Sequence, residues 1–163
     1  MKRIAVLGLV LVGSVSMAQP QTVNQNSVPF IGTWKVNLEK SNYSPFPAPK
    51  SSVLMIEDRG DGLFEETRNV VLADDGKSFA SYVLKCDDKD YPFLQTGPQY
   101  YGGSFSGFIS CTASDSKTFD FAVKTDTRRV LQHFIRTLSS DGTMFIETIP
   151  GSLPAAATVF DKQ

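Results

Sequence analysis

Lys117-Thr118-Phe119-Asp120-Phe121-Ala122-Val123-Lys124-Thr125 alternates along its length. Phe119, Phe121 and Val123 share one face, and Asp120 and Lys124 fall on the other. Successive side chains of a strand point to opposite faces, so a period of two is a strand's signature. The pattern recurs a few residues on. Val130, Gln132, Phe134 and Arg136 oppose Leu131, His133 and Ile135. Both of those faces are partly apolar, which suits a strand with one side against a cavity or another element.

Working outward, Asp-Gly pairs punctuate the chain at Asp61-Gly62, Asp75-Gly76 and Asp141-Gly142. Asp-Gly supplies the positive φ angles of a tight hairpin turn without a Cβ clash at the glycine. The intervals between turns predict strands near 30–37, 51–59, 63–73, 78–86, 104–112, 118–125, 128–139, 143–149 and 156–162. Helix is confined to one turn at Leu38 to Asn42, because Pro45, Pro47 and Pro49 stop anything longer. Eight or nine short strands with almost no helix predict an all-β, antiparallel barrel, with a β-sandwich as the alternative. Pairing of the last strand with the first distinguishes the two.

The 163 residues divide into three parts. Met1-Lys2-Arg3, the apolar run Ile4 to Val15 and Ser16-Met17-Ala18 form the three regions of a secretory signal peptide, with cleavage after Ala18. The apolar run is shorter than the roughly 20 residues a bilayer span needs, so no membrane-spanning segment is expected. Residues 19–29 are polar and uncharged and read as a flexible spacer. Residues 30–163 form a single domain, in a product expected to be periplasmic or secreted. The chain has 16 basic and 17 acidic residues, so it lacks the electrostatic footprint of a nucleic-acid partner. At 41% apolar and 11% aromatic it is rich enough to build a core. Cys86 and Cys111 are the two cysteines, and an even pair in an exported protein favours a disulfide. The alternative is two free, buried thiols.

The domain opens Phe30-Ile31-Gly32-Thr33-Trp34-Lys35-Val36-Asn37. Gly32-x-Trp34 on a first strand resembles the signature of the lipocalins and fatty-acid-binding proteins, the calycin barrels. Asn37-Leu38-Glu39-Lys40-Ser41, the run Pro45-x-Pro47-x-Pro49-Lys50-Ser51, Asp88-Lys89-Asp90-Tyr91-Pro92 and Arg136-Thr137-Leu138-Ser139-Ser140-Asp141-Gly142 extend the likeness, as does Val159-Phe160-Asp161-Lys162-Gln163 at the end. Together they resemble a group of small exported bacterial lipocalin-like proteins of uncharacterised function. The cysteine pair departs from that group's usual pattern. In calycins the tryptophan plugs the closed end of the barrel under an arginine from a late strand. The resemblance implies that Gly32, Trp34 and Arg136 play those parts, with the guanidinium over the indole.

Catalytic apparatus is hard to assemble. His133 is the single histidine and lies mid-strand, which excludes a His-rich metal site and leaves one base for any triad. Gly103-Ser104-Phe105-Ser106-Gly107 has Phe105 where a nucleophile elbow needs serine, and reads instead as a small-residue strand. Asp87, Asp88 and Asp90 fail the EF-hand spacing, since the sixth residue from Asp87 is Pro92. Arg59-Gly60-Asp61 is accounted for by the turn it enters. Tyr91, Phe93, Tyr100 and Tyr101 flank a connection from Leu94 to Gly103 and are candidates for contacting a ligand or partner, or for closing one end of the core.

These features predict a non-enzymatic barrel, without cofactor or metal, that binds a small hydrophobic or amphipathic ligand. The alternative is a filled barrel that contacts another envelope protein. A cavity of a few hundred Å3 is expected of the first and not of the second.

Overall fold

A computed structural model describes residues 28–44, 46–97, 103–151 and 156–163. The expected signal peptide, most of the spacer, and both Tyr100 and Tyr101 lie outside the described residues. Ten strands follow one another: β1 (Gly32–Asn42), β2 (Ser51–Gly60), β3 (Leu63–Val71), β4 (Lys77–Leu84), β5 (Tyr91–Thr96), β6 (Phe105–Ala113), β7 (Thr118–Lys124), β8 (Val130–Leu138), β9 (Met144–Thr148) and β10 (Ala157–Lys162).

Each strand pairs antiparallel with its sequence neighbours, and β1 also pairs with β10, so the sheet closes on itself. Trp34 stands opposite Leu54 on one side and Lys162 on the other, while Val36 faces Phe160. This closure makes the fold a barrel and not a sandwich. All three Asp-Gly pairs sit at hairpin turns. At Asp61-Gly62 both residues take positive φ, 52° and 76°, and Gly60 pairs with Leu63 across a two-residue loop.

The structure adds one strand to the expected count and lengthens another. Tyr91–Thr96 is β5, where an aromatic connection is read from the sequence; Phe93 and Gln95 point inward and Leu94 and Thr96 outward. Leu38 to Asn42 extends β1 in place of a helical turn. There Ser41 Oγ donates to the Asn37 carbonyl at 2.6 Å and accepts the Val159 N–H at 2.9 Å, tying the stretch to β10.

One end of the barrel is plugged by aromatic rings. Trp34 Nε1–H donates to the Phe30 carbonyl at 2.6 Å, which folds the lead-in segment beneath β1. Phe30 meets Phe119 and Phe145 edge to face at 5.1 and 5.6 Å, and Phe145 stacks on Phe160 at 4.8 Å. Burying each such ring contributes roughly 1.5–3 kcal/mol, with about 0.5–1.5 more per well-placed ring pair. The Cys86–Cys111 disulfide fastens the β4–β5 connection to β6, where Asp88 N–H also donates to the Cys111 carbonyl at 3.0 Å. Gly107 on β6 is required by crowding. A Cβ there would lie 2.2 Å from the Lys124 carbonyl oxygen on β7.

Candidate ligand-binding site

β3 alternates strictly, with Phe64, Glu66, Arg68 and Val70 buried. The strand therefore carries two charged residues on its inner face. Arg136 of β8 and Glu147 of β9 reach the same layer from the opposite wall. Arg136 Nη1 donates to Glu66 Oε2 at 2.7 Å, and its Nη2 to Glu147 Oε2 at 3.0 Å. Arg68 grips Glu147 with two hydrogen bonds, at 2.9 and 2.6 Å, and lies 3.5 Å from Glu66. Each carboxylate thus contacts both guanidiniums, and the layer is charge-balanced.

Burial works against ionising Glu147, but Arg68 and then Arg136 outweigh it and hold the carboxyl down at about 2. Burial also opposes the Arg136 cation, yet Glu66, Tyr82 and Glu147 keep its pKa above the ordinary arginine value. Burial, with Glu66 beside it, pushes the Tyr82 phenol well above its usual range.

The charged layer separates the aromatic plug from a recess. Arg136 packs its guanidinium 4.8 Å from the Phe145 ring on the plug side and 5.0 Å from Phe121. On the other side, Glu66, Arg68, Tyr82 and Glu147 floor a cavity walled by Phe93, Ile109, Val123 and Phe134. Its volume is about 30 Å3, well short of the few hundred Å3 expected of a ligand-binding barrel. Gln95 lines it and is 2% exposed, and its Nε2 has no hydrogen-bond partner among the described residues. A buried amide donor left unpaired costs about 1–3 kcal/mol.

Of the residues singled out in the sequence, Phe93 lines this recess. Tyr91 lies toward the plugged end, where its hydroxyl donates to Asp87 Oδ1 at 3.1 Å. Trp34 is fully buried, but the cation over its indole is Lys162, 5.3 Å from the ring centroid, in place of the expected Arg136. Arg136 is held away by Glu66 and Glu147. Gly32 has φ 133°, and a Cβ there would press on Lys162 Cε at 3.0 Å. His133 is exposed, with Nε2 2.6 Å from Asp120 Oδ1 on the neighbouring strand. Two of the three aspartates of 87–90 are engaged by cations: Asp87 by Lys89, and Asp90 by Lys124 and Arg128. Arg59 is paired with Glu57 and Glu65.

Glu66, Arg68, Tyr82, Gln95 and Glu147 are absent from the sequence reading. The signal that could have found Glu66 and Arg68 is parity, since both fall in phase with Phe64 and Val70. Chain and fold together define a closed, all-antiparallel ten-stranded barrel, compatible with a lipocalin- or calycin-like architecture. No family model matches the sequence, and neither a curated protein nor a solved structure matches it.

Proposed function

We propose that the chain is an exported, non-enzymatic, lipocalin-like barrel that takes a small amphipathic ligand into the recess. One observation carries this reading: a charged floor under aromatic walls, with the buried, unpaired Gln95 amide in the lining between them. A buried ion network is a poor way to gain stability, because well-packed apolar residues often do as well or better. Its placement at the base of a cavity fits recognition more than scaffolding. The size of the cavity selects among ligands. Thirty Å3 accepts a polar end group, and the apolar remainder would lie between Phe93 and Phe134 toward the open side. A purely hydrophobic ligand would leave the floor unused. Both carboxylates of the floor are committed to guanidiniums, which disfavours a general base there. The disulfide is in keeping with an oxidising, extracytoplasmic compartment.

The small enclosed volume also favours a second reading, a filled barrel that acts through its surface on another envelope component. About 30 Å3 holds one or two waters. Purification from the native envelope separates the two. A small molecule that co-purifies in stoichiometric amount, and is released on denaturation, supports the ligand reading. A ligand-free chain that crosslinks to a defined envelope protein supports the other.

A further inference from the structure

We propose that the recess selects a ligand whose buried end is an uncharged hydrogen-bond acceptor, such as an amide, ketone or alcohol oxygen. The inference rests on the binding reading above and specifies its chemistry.

Charge balance decides it. The floor holds two carboxylates and two guanidiniums, and every acid is in contact with both bases. A ligand carboxylate would enter as an excess negative charge with no uncommitted cation to meet it. It would lose its hydration and gain only a share of guanidiniums already neutralised, at a cost of several kcal/mol. An ammonium group meets the same difficulty with the sign reversed. A neutral acceptor leaves the balance intact.

The donor inventory agrees. Gln95 Nε2 is a buried N–H group in search of an acceptor. The Tyr82 phenol on the neighbouring strand β4 lines the same cavity, but its hydroxyl is hydrogen-bonded to Glu66, which leaves the Gln95 amide as the donor. Glu66, Arg68 and Glu147 also line it and are occupied with one another, and the half-buried Gln132 amide is the remaining polar lining group. Phe93, Ile109 and Phe134 offer an apolar wall to the methylenes that follow the acceptor.

The experiment uses the full chain and four probes of one length: hexanamide, 1-hexanol, hexanoate and hexylammonium, at pH 7. Proton–nitrogen NMR follows both affinity and the side-chain NH2 resonances of Gln95. Hexanamide and hexanol are expected to bind at least ~tenfold more tightly than either ion and to shift the Gln95 resonances. Gln95→Met is expected to weaken hexanamide about tenfold, the value of one buried hydrogen bond, and to leave hexanoate unchanged. Hexanoate binding as tightly as hexanamide, or tight binding without a Gln95 shift, overturns the selectivity and leaves the ligand reading standing. Absence of binding by all four means a recess for ordered water only, and overturns both. The comparison of probes on the unaltered chain stands even if Gln95→Met does not fold.

Discussion

Arg136 and Glu66 face each other at 2.7 Å across the barrel lumen, 70 residues apart in sequence and both sealed from solvent. Neither charge is tolerable there without the other, because a lone buried ion loses its hydration without compensation. Arg136→Met should therefore destabilise the fold by about 3–5 kcal/mol, as should Glu66→Leu. The double variant Glu66→Leu/Arg136→Met leaves Arg68 and Glu147 as a balanced pair and should recover much of the loss. Urea unfolding of the four proteins measures this directly. Losses that simply add would show that the two side chains are not coupled.

Acid should weaken the fold through Glu147. Its folded-state pKa of about 2 lies below the ordinary glutamate value of 4.5. The stabilisation is thus fully present above about 4.5 and is lost as pH falls towards 2. The contribution is on the order of 3 kcal/mol. Glu147→Gln should be less stable at pH 7 and should lose less than the parent between pH 5 and pH 2. Parallel curves for the two proteins across that window would contradict the assignment.

Parity explains what the sequence disclosed and what it hid. The aromatic alternation of β7 marks its inner face openly, and the Asp-Gly turns mark the hairpins. In β3 the inner face carries Glu66 and Arg68, and a charge at an inward position reads as solvent-facing. In β5 an inward Gln95 and a proline at position 92 break the expected strand composition in the same way. The partners that neutralise Glu66 lie on β8 and β9, and no local pattern discloses a contact across the lumen. Leu38 to Asn42 is strand in place of a helical turn for a related reason. Its extended form depends on β10, more than 100 residues away.

The disulfide should be measurable as a stability term. Cys86 and Cys111 close a loop with a sequence separation of 25. The chain-entropy model assigns about 3 kcal/mol to such a loop. Cys86→Ala/Cys111→Ala should lower the unfolding free energy by that order, and alkylation of the denatured, unreduced parent should find no thiol. A reactive thiol pair would remove the link from β6 to the β4–β5 connection.

Two glycines in one stretch should respond differently. Gly107→Ala places a Cβ against the Lys124 carbonyl and should cost about 1–3 kcal/mol through forced backbone movement. Gly103→Ala meets nothing within 4 Å and should lie within about 0.5 kcal/mol of the parent. Thermal unfolding of both variants provides the comparison; equal effects would contradict the close approach of β6 and β7.

The recess itself is tested most directly by filling it. Ala80 faces inward, 6% exposed, and lines the cavity opposite Arg68 in the strand register. Native mass spectrometry of the parent and Ala80→Leu, both purified from the native envelope, compares occupied and filled barrels. A bound small molecule on the parent, absent from an equally folded Ala80→Leu, is the expected result. A parent with nothing bound, or a ligand retained equally by both, would contradict the assignment of the recess as the binding site.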